Sequence, residues 1–381
     1  MTEIVCPGLD GTNPLHVLAA LGVLRLTIPH DAQATLAWRW MGHWTPVIGH
    51  VIDAWPNDDL AATCIAADIQ ALAVTGSVDS ALGRRVTDLK SERKKAEESR
   101  KKALQVGKAE MKDLPTDDRR SRMDALAAEH DRIIVGIQQG LDQAQDCLND
   151  ALGSGIAHLG TIIGVPPPLF RRKAFQACNG WLQSRSEGTQ AVDPALLAWA
   201  LASQASDGVS DRGLVSPTPL SFSNGSSGQC LLKDFRGCAT RCTGAAVLGT
   251  WQGNPVGDQS ITGLNWDPAD QRSYALQWDS PESGRAHDPA VNALAFVGLA
   301  ELTTMPGSSG LLAVGWQRGR PESFRWPIWD TPLRSSLIRS LLARRIPDDR
   351  RDDPPGVVAR YQSERINPTG KRNFFAPARP I

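Results

Sequence analysis

Between Arg84 and Lys112 the chain runs RRVTDLKSERKKAEESRKKALQVGKAEMK, without one aromatic residue. So highly charged a run of good helix formers is suited to a long solvated helix and not to a strand with a buried face. The pattern breaks at Asp113-Leu114-Pro115. Thr116, followed by Asp117-Asp118, has the form of a capped helix start with acids on its positive end. The second arm then places Met123, Leu126, His130, Ile133, Ile137, Ala144, Leu148 and Ala151 at steps of three, four or seven. That is a heptad seam passing over Gly140. The expectation is an antiparallel helical hairpin, a coiled coil inserted at 84–152. It would separate an N-terminal α/β part (1–83) from a C-terminal α+β part (153–381).

The first arm carries 11 Lys and Arg against 5 acids, a surplus of six positive charges in a chain whose totals balance at 41 each. Overall neutrality excludes a uniformly basic nucleic-acid coat and shifts attention to local charge. Two readings of the arm stand side by side. In one, Arg93, Lys94, Lys95, Arg100, Lys101 and Lys102 touch a DNA or RNA backbone. In the other, the arm is a solvated helix held by Glu–Lys pairs three or four residues apart. The heptad face, with Leu126, Ile133, Ile137 and Leu148, offers a surface to a partner helix or to a second copy.

Outside the insertion the expected fold class is α+β, a mixed body of Trp-rich antiparallel strands and helices. Asn13 caps and Pro14 opens a helix carrying Leu15, Leu18, Leu21 and Leu24. TLAWRWMG (35–42) and HWTPVIG (43–49) predict a strand pair, and 59–82 a helix. Helices are expected at 169–184, 195–204, 292–302 and 332–345, and strands at 246–253, 260–268 and 273–280. GLLAVGWQRG and PESFRWPIWD predict a hairpin around Gly319-Arg320-Pro321. The 12 Trp, against 2 Tyr, suit core positions near polar edges better than a stacking platform.

LSFSNGSSGQCLLKDFRG (220–237) sets a Ser/Gly/Asn loop against a helix start. Asn224 and Gly225, with Lys233 and Arg236 one and two turns in, could cradle an anion. The alternative is a surface turn capped by Ser226 or Ser227. The stretch is no nucleotide-hydrolysing P-loop, because the Gly-Lys-Ser/Thr ending is missing. Cys230, Cys238 and Cys242 lack the paired spacing of a zinc site and read as small apolar residues on a helix face. His30-Asp31, His130-Asp131 and His287-Asp288 are the dipeptide of HD-type metal phosphohydrolases without its further ligands. No catalytic constellation, metal site or cofactor motif is expected. The N-terminus has no signal-peptide pattern, no apolar run spans a bilayer, and seven irregularly spaced cysteines suit a reducing compartment; together these predict a cytoplasmic chain with no membrane partner.

GLDGTNPLHVLAALGVLRL resembles the opening of large and accessory subunits in type I-G (formerly I-U) CRISPR systems, and HWTPVIG resembles the short segment after it. LVSPTPLSFSNGSSGQCLLKDFRG resembles a further segment of the same proteins. LNWDPADQRSYALQW, NALAFVGL and FRWPIWDTPL are similar to an accessory family described as a Cas helicase–nuclease extension. The chain departs from a large subunit in its shorter length and has no helicase or nuclease motif of its own. The resemblance implies a nonenzymatic, nucleic-acid-binding or scaffolding part of an antiviral apparatus. Its partners would be other Cas-type subunits or a helicase–nuclease, and DNA or RNA backbone. The alternatives are a protein–protein or sensor module of a standalone anti-phage system, assembled through the hairpin, and a metal-dependent nuclease or phosphohydrolase using His287 and Asp288.

Overall fold

A computed structural model describes residues 3–49, 55–73, 80–152, 170–171, 200–201, 214–215, 218–222, 231–270, 286–307, 310–344, 353–367 and 373–381. The chain divides into two compact units, Thr75–Gly153 and the remainder, Met1–Val74 with Ser154–Ile381. The class is α+β, with helices beside several antiparallel sheets.

The larger unit opens with β1 (Glu3–Val5) and α1 (Pro14–Thr27). Asn13 is extended and its side chain accepts from Leu15 N at 2.9 Å, while Pro14 occupies the first turn, where no donor is needed. β2 (Thr35–Trp40) and β3 (Trp44–Gly49) form the expected pair, and β1 joins them in the order β1-β3-β2. α2 (Asp58–Ala73) follows. Against α1 lies α7 (Pro289–Gly298), a helix apolar on nearly every side because it is buried on nearly every side. The two backbones touch: a Cβ on Gly22 would stand 1.9 Å from the Leu294 carbonyl oxygen, and one on Gly298 1.9 Å from that of Leu18. Only glycine permits this approach.

α7 continues into a 3-10 turn (Leu299–Glu301) that carries a buried carboxylate. Glu301 accepts from Ser335 Oγ at 2.9 and 3.0 Å and faces Arg25 at 3.5 Å and Arg339 at 3.6 Å. Burial pushes its pKa up, against the pull of the arginines and the hydroxyl. Among the described residues seven tryptophans (38, 55, 251, 266, 316, 326 and 329) are buried. Trp266, Trp326 and Trp329 give their N–H to the carbonyls of Leu220, Gly11 and Leu36 at 2.7–2.8 Å. These rings fill core beside polar backbone.

Several expectations are corrected. Residues 246–253 are not a strand: they lie in α6 (Gly244–Gln252), capped by Thr243 and closed by Gly253 in the left-handed region. A local N-cap and C-terminal glycine outweigh the β-propensity of Val, Thr and Trp. Residues 260–267 are irregular. The helix expected from 169 gives way at its start to β4 (Phe170–Arg171), paired with β5 (Leu214–Val215). Most of 169–184 and 195–204, and all of 273–280, lie outside the described residues. The strand expected over 310–319 is two: β7 (Gly310–Ala313) pairs back to β6 (Thr304–Gly307), and β8 (Trp316–Gln317) pairs forward to β9 (Ser323–Trp329). Gly315, at φ +73°, makes the break. β9 continues the sheet to β10 (Val357–Ile366), whose far edge takes β11 (Phe374–Phe375) and β12 (Arg379–Pro380). α5 (Leu231–Arg241) and α8 (Ser335–Ala343) complete the unit.

The smaller unit consists of α3 (Ser80–Glu110) and α4 (Thr116–Leu152). Arg93 meets Gln138, Arg100 meets Asp131, and Gly107 faces Leu126, so partners descend on one arm as they rise on the other. The arms are therefore antiparallel. Arg119 closes the turn by donating to the carbonyls of Met111 and Leu114 at 2.9 and 3.1 Å, and to that of Lys112. Val86, Leu89 and Leu141 form the buried seam, with Ile137 and Ala144 packed on it. The expected seam residues Ile137 and Ala144 pack on it, but Ile133 is 51% exposed, and Leu141 is buried where the expected seam passed over Gly140. Among the described residues no helix is long and apolar enough to cross a membrane.

Candidate functional site

On α3 the expected contact residues fall into two groups. Arg93 turns toward α4, giving Nη1 to Gln138 at 2.8 Å, with Nε 3.2 Å from Glu97. Arg100 lies across from Asp131 at 2.7 Å. These two arginines fasten the hairpin. Lys94, Lys95, Lys101 and Lys102 are exposed. At about 100° per residue, Lys90, Lys94, Lys101 and Lys108 share a stripe roughly 40° wide, running about 27 Å along the axis. Lys95, Lys102 and Arg84 lie further round the same exposed side, while Asp88, Glu92 and Glu110 gather on the opposite flank. Glu98 lies between the basic rows, Glu97 borders the lysine stripe on its other side, and Asp88 lies about 20° from Lys95, so acids flank a row that itself holds only lysines. α4 is the counterweight, with 8 acids against 4 arginines.

Of the residues proposed to meet a partner, Ile137 packs inside the hairpin and Leu126 lies against Gly107. The Leu148 side chain lies outside the described residues. Ile133 remains on the surface.

At the proposed loop–helix site, Asn224 and Gly225 lie outside the described residues, as does the Lys233 side chain. Arg236 is half-buried on α5. Cys238 and Cys242 are free and buried, and burial pushes both thiols up, Cys242 to about 12. Such thiols are packing residues at neutral pH.

The His-Asp dipeptides separate into different duties. His30 faces Asp68, at 3.2 Å, and Asp131 pairs with Arg100. Asp288 is the N-cap of α7, accepting from Ala290 N at 2.8 Å and Val291 N at 3.3 Å, and from Thr250 Oγ1 at 2.6 Å. Burial raises its pKa against those three bonds. His287 opens toward a polar cleft of about 230 Å³ shared with His16, Asp267 and Asp270, and its Nδ1 is 3.6 Å from Asp270. Asp267 binds the Asn13 amide at 3.3 Å and caps Ala269 at 2.9 Å. His16 Nδ1 accepts from Asp10 N at 3.1 Å, and burial holds this imidazole below its ordinary pKa despite Asp267 and Asp10. The cleft gathers two helix starts, and Asp267 and Asp288 serve there as caps. Among the described residues no group of three or more His, Cys, Asp or Glu is placed to hold a metal ion. His16, Asp267 and Asp270 escaped the sequence reading because they converge from segments about 250 residues apart.

No protein-family model matches the chain, and no curated protein matches it significantly.

Proposed function

We propose that this chain is a nonenzymatic nucleic-acid-binding and scaffolding subunit of a prokaryotic antiviral complex of the CRISPR type I-G kind. The observation that carries the reading is the lysine stripe of α3, Lys90, Lys94, Lys101 and Lys108, exposed on one side of a 31-residue helix. A stripe of about 27 Å approaches one turn of B-DNA, and ammonium groups bind phosphates without reading sequence. In guide-RNA complexes base pairing supplies sequence recognition and protein handles backbone, so a neutral body with one basic ridge suits such a role. The motif resemblance of the opening and of residues 214–237 supports the same assignment. The test is fluorescence anisotropy of the whole chain with labelled DNA and RNA at about 50 mM salt. Binding should fall steeply with salt and disappear in a Lys90, Lys94, Lys101, Lys108→Glu variant. Equal affinity in the variant would refute the ridge.

A second reading, an assembly module, rests on Ile133, half-exposed beside the seam. Ile133→Asp should then lower the mass seen in light scattering without unfolding the hairpin. Ile137→Asp is unsuited to that test, because it would break the seam itself.

A further inference from the structure

The lysine row of α3 is uniform in chemistry and built on a stiff support. Lys90, Lys94, Lys101 and Lys108 are exposed, with steps along the axis of about 6 Å and then twice about 10.5 Å, at 1.5 Å per residue. Ser80–Glu110 contains no proline to kink it, and α4 packs along its other side through the seam of Val86, Leu89 and Leu141. Among the described residues none of the four lysines meets a carboxylate at ion-pair distance. Glu97, the acid bordering the row, lies 3.2 Å from Arg93 Nε, so its charge is already answered. Arg93 and Arg100 are turned to Gln138 and Asp131. From Thr75 to Gly153 the sequence holds no Phe, Tyr or Trp. The row therefore offers ammonium groups and no ring on which a base could stack.

We infer that this row takes double-stranded nucleic acid in preference to a single strand. The inference rests on the proposed nucleic-acid role and names the substrate class of that same surface. Charge density argues first. A duplex carries about one phosphate charge per 1.7 Å of axis, so a row of about 27 Å faces roughly 16 charges, and one strand at about 3.4 Å per charge brings half as many. Stiffness argues second. A duplex, with a persistence length of about 50 nm, lies along a straight helix with little further ordering, whereas a flexible strand must be straightened at a cost in entropy. The third argument is the missing rings. Single-strand sites hold successive bases on aromatic side chains, and a row of lysines has only point charges for phosphate.

The experiment uses the whole chain and two fluorescein-labelled DNA probes: a twenty-base-pair duplex and a twenty-nucleotide oligothymidine. Anisotropy at about 50 mM salt should show the duplex bound at least tenfold more tightly. The salt slope for the duplex should approach about 3.6 in magnitude, at roughly 0.9 for each of four phosphate contacts. Lys94→Gln/Lys101→Gln should lower that slope by about 1.8 and weaken duplex binding, with helicity by circular dichroism unchanged because both side chains are exposed. Lys90→Gln/Lys108→Gln, the outer pair, should give the same loss and guards against a folding defect in the first variant. Oligothymidine affinity equal to or above that of the duplex, and lost in these variants, overturns the duplex assignment while the broader nucleic-acid reading survives. Duplex binding with wild-type affinity and slope in both variants overturns the row as the site. Failure of the wild-type chain to bind either probe overturns both readings.

Discussion

Two helix pairs, α1 with α7 and α3 with α4, are held together by opposite means. α1 and α7 touch backbone to backbone at Gly22 and Gly298, inside a core of buried aliphatic and aromatic side chains. Among the described residues, α3 and α4 share a seam of three buried residues and tie the rest with Arg93–Gln138 and Arg100–Asp131. In the first pair close packing fixes the geometry and leaves no surface to use. In the second, little is buried, and most of the helix surface remains free to carry charge. The difference teaches where function can lie in a neutral chain: on the pair whose stability needs the fewest of its residues.

The largest effect should come from closing the glycine contact. Gly22→Ala or Gly298→Ala places a methyl group about 1.9 Å from a carbonyl oxygen and must part the helices. Overpacking on this scale costs about 3 kcal/mol, well above the roughly 1 kcal/mol that alanine returns in helix propensity. Chemical denaturation of the whole chain should show it. Leu141→Ala should cost about 2 kcal/mol, the low end for a buried leucine, because the thin seam can partly collapse. Hydrogen exchange should register that loss in α3 and α4 and not in α1 and α7. A spread into the larger unit would erase the contrast.

A smaller effect is tied to pH. His16 has its pKa depressed by burial, with Asp267, Asp10 and His43 facing it, so the unfolded chain takes up the proton first. Stability should therefore be lost as pH falls below the ordinary 6.5, and His16→Asn, keeping an acceptor for Asp10 N, should flatten that slope. Thermal melts across the window check it; an unchanged slope would show that other groups dominate. The smallest effect belongs to Ile133→Asp, which should change stability by less than about 0.5 kcal/mol. A large loss there would return Ile133 to the seam.

Local chemistry made much of this fold readable. Asn13-Pro14 announced α1, and Asp113-Leu114-Pro115 announced the turn between α3 and α4. Ile137 and Ala144 were read correctly, while Ile133 was misplaced because Ile133, Ile134 and Val135 are three apolar residues in a row, and periodicity cannot choose among them. Residues 246–253 looked like a strand because Val, Thr and Trp dominate a short run, although Thr243 and Gly253 were helix boundaries in plain view. The contacts of Gly22 and Gly298 across α1 and α7 depend on tertiary approach, which no local pattern records. The α3 arginines and lysines were visible as a cluster. Only the helix showed that Arg93 and Arg100 turn inward while a row of lysines faces solvent.

The most direct measurement of the central claim is the salt dependence of nucleic-acid binding by the whole chain and its fourfold α3 variant. If the ridge carries binding, Lys90, Lys94, Lys101, Lys108→Glu leaves hairpin helicity intact and abolishes the salt-dependent affinity. Binding by the variant with the wild-type affinity and slope would contradict the account.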